Sequence, residues 1–244
     1  MIQAFQACSP GSIPGRCTFI LLLFTRFMPF KEVKEIVRKN YRFILLSFLL
    51  PLLYFFMNSF FPIKEPITFN FIIDSFIPFI PAFVVAYFLY HATLFTAGVL
   101  LCVYSSDNFK KYITSLLFSF LVALVFYLFF PVKMIKLPIE TSDIFSRAVV
   151  FLRSFDSPYN VLPSLHAAWS TIILWYGSRK EFVLKIFSKR QYPFFVFCLF
   201  VLVVLFISSA VLIKQHYFID IISGIFLGVF SVLLVNYFTA KIRK

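Results

Sequence analysis

The sequence predicts an all-α, polytopic membrane protein with six transmembrane helices and both termini in the cytoplasm. Hydrophobic residues make up 61% of the 244-residue chain and charged residues only 14%, and the mean hydropathy is +0.92. A soluble domain of this size cannot cover so much apolar surface. The apolar residues also form runs of about 20, the length that a membrane-spanning helix needs. Short clusters of lysine and arginine separate these runs, as membrane loops require.

The chain before the first span divides into two predicted segments. Residues 1–27 form an N-terminal extension with a short apolar run, "CTFILLLF". Two alternatives stay open for it: a signal-like segment without a charged start, or a stretch that precedes a native start at Met28. Residues 28–42 alternate charged and apolar residues, which is typical of an amphipathic helix on the inner membrane surface. Residues 43–244 are predicted to form one six-helix membrane domain.

Six apolar runs are predicted to be the spans, and they cover residues 43–62, 82–104, 112–131, 162–178, 191–213 and 216–238. The stretch 67–80 is also apolar, but Pro78 and Pro81 interrupt it, so it is predicted to be interfacial or re-entrant. The fourth run is short, and its first turn contains a histidine.

The distribution of basic residues predicts the orientation. Segments 31–42, 105–111 and 179–190 and the C-terminus together carry 15 lysines and arginines, whereas the loops on the opposite side carry six. The positive-inside rule therefore places both termini in the cytoplasm. The segments that precede the fourth and sixth spans then face outward together.

The same distribution disfavours two classes of function. The net charge of +13 is spread over membrane loops rather than one surface, so we expect no nucleic-acid partner. The cysteines and histidines are scattered and no carboxylates cluster beside them, so we expect no metal site and no cofactor. These residues are Cys8, Cys17, Cys102, Cys198, His91, His166 and His216.

The first candidate motif is "PSLH" in "NVLPSLHAAWS", residues 160–170. Pro163 suits the first turn of a helix, where its missing N–H costs nothing. Free backbone N–H groups at that helix start, together with the Ser164 hydroxyl, form a site suited to an anion. His166 can exchange a proton with a group bound there. The alternative is an interfacial histidine that only satisfies a helix cap.

The second motif is "KQHYFID". His216 and Asp220 are four residues apart, so on a helix they share a face. A carboxylate bonded to one imidazole nitrogen fixes the tautomer and leaves the other nitrogen as a nucleophile or base. Lys214 is predicted to reach inward from the turn. The alternative is a structural ion pair that joins two spans.

Two more lysines, Lys133 and Lys136, follow the third span on the same predicted side. For Lys133 we favour a solvated loop charge. Two histidines, a carboxylate and one or two lysines on one face suit a phosphoryl group that is first captured and then released. His91, in the middle of the second span, is interpreted as a packing residue or one that bonds water.

These residues resemble the type 2 phosphatidic acid phosphatase superfamily, the lipid phosphate phosphatases related to vanadium haloperoxidases. The similarity covers roughly residues 75–235, and two of three sequence blocks are specific. Leu165 replaces a glycine of the family, Ala210 replaces an arginine, and Lys136 is the best match for a second arginine. These replacements, with "FDSPYNVLPSLH", are similar to the branch that contains inositol phosphorylceramide synthases and related bacterial membrane proteins.

The resemblance implies roles for individual residues. His216 would be the nucleophile that forms a phosphohistidine, Asp220 would orient it, and His166 would protonate the leaving group and then activate the acceptor. Lys214, Ser164 and Lys136 would bind phosphate oxygens. Asp156 and Asn160 match the branch and are possible supporting residues, with loop bracing as the alternative.

The implied activity is a metal-independent lipid phosphatase of a bacterial inner (plasma) membrane, with its site on the periplasmic or extracellular face. The close alternative is a phospho-headgroup transferase of the inositol phosphorylceramide synthase type, which would use the same intermediate. A transporter or structural protein with an idle site is a third hypothesis. The expected partners are a phosphorylated lipid and the bilayer, while the lipid's identity and the oligomeric state stay open.

Overall fold

The computed structural model describes residues 30–60, 64–69, 71–136, 138–156 and 158–242. The chain divides into two compact units, Met1–Arg38 and Lys39–Lys244. The described part of the first unit, residues 30–38, is helical and mostly exposed. The predicted extension 1–27 lies outside the described residues.

The described residues form nine α-helices and no β-strand, which confirms the all-α prediction. One isolated bridge pairs Ile67 with Val132, and a single 3₁₀ turn, Pro81–Phe83, leads into the third helix. The helices are α1 Phe30–Phe60, α2 Ile72–Phe76, α3 Val84–Tyr104, α4 Ser106–Phe129, α5 Ile144–Phe155, α6 Leu165–Gly177, α7 Lys180–Val183, α8 Tyr192–Leu212 and α9 Phe218–Ile242.

Five helices of the described chain are long and apolar enough to cross a membrane, one fewer than the sequence predicted. They are Lys31–Phe56, Pro81–Tyr104, Ser106–Phe129, Tyr192–Leu212 and Phe218–Ile242. The predicted span 162–178 contains α6, which has only 13 residues. At 1.5 Å per residue it is about 20 Å long, against a hydrocarbon core of about 30 Å.

Residues 28–42 and 43–62 were predicted as separate segments, but residues 30–60 form one continuous helix, α1, with Pro51 inside it. In the larger unit, this helix is joined to the start of α4 by a hydrogen bond. The Ser106 hydroxyl donates to Asn40 Oδ1 at 2.7 Å.

Helix α6 lies at the centre of the larger unit and packs against α3, α4, α8 and α9. Nine of its 13 residues are buried, and Ala167, Ala168, Ile172 and Tyr176 have no exposed surface. A helix that is apolar all round is expected to be enclosed by others rather than by lipid. The surrounding helices show the opposite pattern, with large apolar side chains pointing outward, as an integral membrane protein requires.

Two glycines of α9 allow its backbone to approach α6 closely. A Cβ atom on Gly224 would lie 2.3 Å from the Ser164 carbonyl oxygen, and one on Gly228 would lie 2.6 Å from the Ala168 carbonyl oxygen. Small residues four apart permit this kind of contact between membrane helices. Gly224 lies one turn after Asp220, so the contact fixes the start of α9 against the start of α6.

Candidate active site

The candidate site lies where the loop before α6 meets the turn between α8 and α9, and we call this end of the bundle the site end. The Ser164 N–H donates to the Asp220 carbonyl oxygen at 3.0 Å. The Tyr127 hydroxyl, from α4, donates to the Pro163 carbonyl oxygen at 2.7 Å. These bonds join the beginnings of α6 and α9 and so bring the two sequence motifs together.

The His216 ring has one nitrogen bonded to the protein. Its Nδ1 lies 3.1 Å from the Val161 carbonyl oxygen and 3.6 Å from Asp220 Oδ2. A carbonyl oxygen can only accept, so Nδ1 carries the proton and donates, and Nε2 keeps its lone pair. The Val161 carbonyl therefore fixes the tautomer, whereas the second motif predicted that the Asp220 carboxylate would do so.

Asp220 is fully buried at the start of α9. Its Oδ2 accepts a hydrogen bond from the Tyr217 N–H at 2.8 Å, which holds the turn that carries His216. Its Oδ1 is buried without a hydrogen-bond partner in the part of the chain that the structure describes. Asp220 thus supports both the backbone of the turn and the charge near the His216 ring.

His166 is buried in the first turn of α6, and aromatic side chains enclose it. Its Nε2 lies 2.9 Å from the Phe206 carbonyl oxygen, so this nitrogen donates and Nδ1 is left as an acceptor. The Tyr87 ring stacks on it with a 4.5 Å centroid separation, and the Tyr90 ring lies at 3.8 Å.

Ser164 is fully buried at the N-cap of α6. Its hydroxyl oxygen accepts a hydrogen bond from the Ala167 N–H at 3.3 Å. The hydroxyl hydrogen can still donate to an anion at this helix start, where the helix dipole favours negative charge. Ser164 therefore lies at the N-terminus that the first motif predicted, two residues from His166.

Asp156 braces the Tyr87 ring that stacks on His166. Its Oδ1 accepts from the Tyr54 hydroxyl at 3.0 Å and its Oδ2 from the Tyr87 hydroxyl at 3.4 Å. Asn160, which is buried, has a positive φ of 65° in the loop that leads to α6. Asparagine tolerates this conformation better than most residues, which fits the loop-bracing alternative for this residue.

Lys136 lies in the loop between α4 and α5, beside the Asp156 backbone. Its Nζ donates to the Asp156 carbonyl oxygen at 2.9 Å. Burial lowers the pKa of Lys136 to about 8; the Asp156 carboxylate opposes this shift, and the guanidinium of Arg153 adds to it. Lys136 therefore lies beside Asp156, the residue whose carboxylate accepts from the Tyr87 hydroxyl. Lys133, by contrast, lies over the Tyr159 ring at 5.4 Å.

Lys214 points to a different group of residues from the one predicted. Its Nζ donates to the carbonyl oxygens of Asp74 and Ile77, at 2.9 and 2.5 Å. Its φ is 56°, in the left-handed region that costs a non-glycine residue about 1 kcal/mol or more. Burial lowers the pKa of Lys214, and the Asp74 carboxylate opposes that shift.

Residues 71–80, which we call the strap, are held against the turn by these bonds and two more. Asp74 Oδ1 accepts from the Phe218 N–H at 2.8 Å, and the Ile80 N–H donates to the Leu212 carbonyl oxygen at 2.9 Å. The apolar side chains of Ile72 and Phe76 are 78% and 80% exposed. Such a pattern agrees with the predicted interfacial stretch.

Several residues near His166 were missed or interpreted otherwise. Tyr90 and His91 lie three and four residues after Tyr87, so the sequence alone predicts that they share one face of α3 with it. It does not predict that this face packs against His166. Arg153 was counted only as a loop charge. In the structure a guanidinium nitrogen of Arg153 lies 3.3 Å from the Ile213 carbonyl oxygen, in the turn before His216.

Within the described residues, no group of three or more histidine, cysteine, aspartate or glutamate side chains could hold a metal ion. The arrangement instead offers two imidazoles of fixed tautomer, a helix N-terminus and nearby cations. These are groups that bind and transfer a phosphoryl group.

Comparison with known proteins agrees with this chemistry. A family model described as PAP2 superfamily matches residues 68–234, more than half of the chain. No curated protein and no solved structure gives a significant match. The matched region includes the two motifs and the loop that carries Lys136, and it leaves the choice of branch within the superfamily open.

Proposed function

Because the chain belongs to the PAP2 superfamily, whose members are phosphatases or phosphotransferases, we propose that it is a lipid phosphate phosphatase that works through a phosphohistidine. The family and the apolar helices together support the general class, a membrane enzyme of the phosphatase or phosphotransferase type that acts on lipids. The observation that carries the more specific proposal is the fixed tautomer of His216, whose Nδ1 is held by the Val161 carbonyl oxygen.

In the proposed first step, His216 Nε2 attacks the phosphorus and the bond from phosphorus to the lipid oxygen breaks. His166 enters this step as the imidazolium, with Nε2–H on the Phe206 carbonyl oxygen and a second proton on Nδ1. It gives the Nδ1 proton to the lipid oxygen, so the lipid leaves as an alcohol and His166 becomes neutral. In the second step, His166 takes a proton from water, which attacks the phosphohistidine and releases inorganic phosphate and His216. The Asp220 carboxylate, 3.6 Å from His216 Nδ1, stabilises positive charge on the ring during both steps.

Phosphate binding is assigned to groups around the two histidines. The Ser164 hydroxyl and the N-terminus of α6 lie between the motifs, and Lys136 adds a cation from the loop before α5. Lys214 was predicted for the same role. Its bonds to two strap carbonyls support a positioning role in the resting enzyme, and release from those bonds would be needed before it could reach a phosphate.

A headgroup transferase is the second candidate, and the surroundings of His166 favour it specifically. The Tyr87 and Tyr90 rings pack on this ring, and the Phe206 backbone carbonyl bonds its Nε2. Such a lining restricts water at the residue that activates the acceptor, so an alcohol that binds in the site competes better. The intermediate is the same, and only the acceptor in the second step differs.

The lysine and arginine distribution supports an outward-facing site in a bacterial inner (plasma) membrane. In that arrangement the site end meets lipids of the outer leaflet. The strap supports the placement as well, since its exposed Ile72 and Phe76 suit the boundary between headgroups and acyl chains.

The decisive experiment is phosphoenzyme trapping with the purified full-length chain in detergent and EDTA. Incubation with a ³²P-labelled lipid phosphate is expected to label wild-type protein with phosphate that is lost in acid and kept in alkali. H216A is expected to take up no label and to lose turnover by more than about a hundredfold. T93V, at an exposed threonine of α3 bonded only to its own helix, serves as the matched control.

The products separate the two candidates. Free phosphate in the absence and presence of inositol supports the phosphatase, and a new labelled lipid that needs inositol supports the transferase. Wild-type turnover in H216A would refute the phosphohistidine, and absence of turnover in the wild-type protein would support the idle-site hypothesis.

A further inference from the structure

His91 is an ionisable side chain in an unfavourable place. It lies seven residues into α3, about 10 Å along the helix, in a segment apolar enough to span a membrane. The residue is exposed, and its neighbours Phe88 and Leu89 are exposed apolar side chains. A polar ring among side chains that suit lipid is costly and usually marks function.

The position of His91 relative to His166 explains why a polar ring is kept on this apolar surface. The two ring centroids are 6.3 Å apart. Tyr87 and Tyr90 lie 5.5 and 4.8 Å from the His91 ring, and both also contact His166. His91 is therefore the exposed member of the ring cluster whose buried member is the proposed acid and base.

One nitrogen of His91 is suited to accept a hydrogen bond. Its Nδ1 lies 3.1 Å from the Tyr87 carbonyl oxygen and must donate to it, so Nε2 keeps a lone pair. Thr93 and Thr96, the other exposed polar residues of this part of α3, satisfy their hydroxyls on their own helix. His91 differs because its ring has a second polar atom, Nε2, which is bonded by no side chain in the described part of the chain.

We propose that His91 determines specificity by accepting a hydrogen bond from a hydroxyl group of the lipid whose phosphate ester oxygen meets His166. Oxygens on neighbouring carbons lie about as far apart as one hydrogen bond, about 3 Å. With one hydrogen bond of about 3 Å at each end, such a pair can bridge nitrogens of two rings whose centroids are 6.3 Å apart. The preferred lipid thus carries a free hydroxyl on the carbon next to the phosphate-bearing carbon. This inference rests on the proposed function.

The test uses two single-chain lipids that differ in one group. They are 1-oleoyl-glycerol 3-phosphate, which has the adjacent hydroxyl, and 1-oleoyl-propane-1,3-diol 3-phosphate, which lacks it. We expect the full-length enzyme in detergent to favour the first in kcat/KM by about tenfold, the contribution of one neutral hydrogen bond. In H91F this ratio should fall to about one. In H91Q, whose amide oxygen also accepts, most of the preference should return.

The controls make failure interpretable. T93V should keep the wild-type ratio, and H91L replaces H91F if the larger ring prevents folding. A preference that is unchanged in H91F and H91L, or a wild-type ratio near one, would overturn the role of His91 while the phosphatase stands. Hydrolysis of neither lipid by the wild-type enzyme would instead refute the proposed function, and this inference with it.

Discussion

Replacing Gly224 with alanine tests whether the contact between α9 and α6 positions the site. The new methyl carbon would lie 2.3 Å from the Ser164 carbonyl oxygen and 2.9 Å from the Ala167 Cβ, so the first contact has to lengthen beyond 3.0 Å. The first of these atoms belongs to the backbone and the second to an alanine side chain, both at the start of α6. Neither atom can move away by a side-chain rotation. The start of α9, with Asp220, must therefore move away from the first turn of α6.

The magnitude follows from that displacement. Overpacking of this kind costs about 1–3 kcal/mol, and the better helix propensity of alanine offsets up to about 1 kcal/mol. A displacement that approaches 1 Å between catalytic groups lowers the rate by about a hundredfold. We therefore expect kcat/KM to fall by about two orders of magnitude while the protein still folds.

The assay is kcat/KM for phosphate release from a lipid phosphate, with thermal unfolding in the same detergent. G98A is the matched control, because its methyl carbon would lie 3.6 Å from a Tyr112 ring carbon, an ordinary contact. That variant should keep its activity and unfold at the same or a higher temperature. A folded G224A enzyme with kcat/KM within threefold of the wild type would show that the helix contact does not position the site.

Three further predictions concern side chains around His166. Phosphate binding by the Lys136 ammonium requires its proton, so kcat/KM should fall as the pH rises through about 8, and K136R should move that fall to higher pH in a pH–rate profile. With p-nitrophenyl phosphate, whose leaving group needs no proton, H166A should form the phosphoenzyme but hydrolyse it slowly. Rapid quenching should detect the accumulated phosphoenzyme. Equal steady-state labelling of the wild type and H166A would contradict the second step. D156N should lower kcat by about tenfold and lower the unfolding temperature, because the uncharged amide has one acceptor oxygen and cannot accept from both the Tyr54 and the Tyr87 hydroxyl. Y54F, which keeps the bond from Tyr87 to the carboxylate, should have a smaller effect in the same assays.

The long helices could be predicted from the sequence because the length of an apolar run encodes them directly. The runs 82–104 and 191–213 differ from Val84–Tyr104 and Tyr192–Leu212 by at most two residues at either end. The fourth run, 162–178, was placed within three residues of α6, but that helix is too short to cross a membrane alone. The apolar composition continues to Tyr176, but the polar loop with Pro163 delays the helix start until Leu165.

The two motifs of the site were predictable for a similar reason, since the spacing of His216 and Asp220 is local. The partners of Lys214 were not, because Asp74 and Ile77 lie 140 and 137 residues away in the chain. The link from Tyr87 to Asp156 spans 69 residues. Contacts of this kind depend on how helices pack, and a single sequence carries no direct signal for that packing.

The central helix α6 reaches across only part of the hydrocarbon thickness, and its far half is filled. Ile172, Ile173 and Tyr176 each have at most 1% exposed surface. Among the described residues, this face of α6 therefore leaves no room for water beneath the histidines. Under the proposed function, a phosphate ion released at the histidines would leave by the opening through which the lipid headgroup entered.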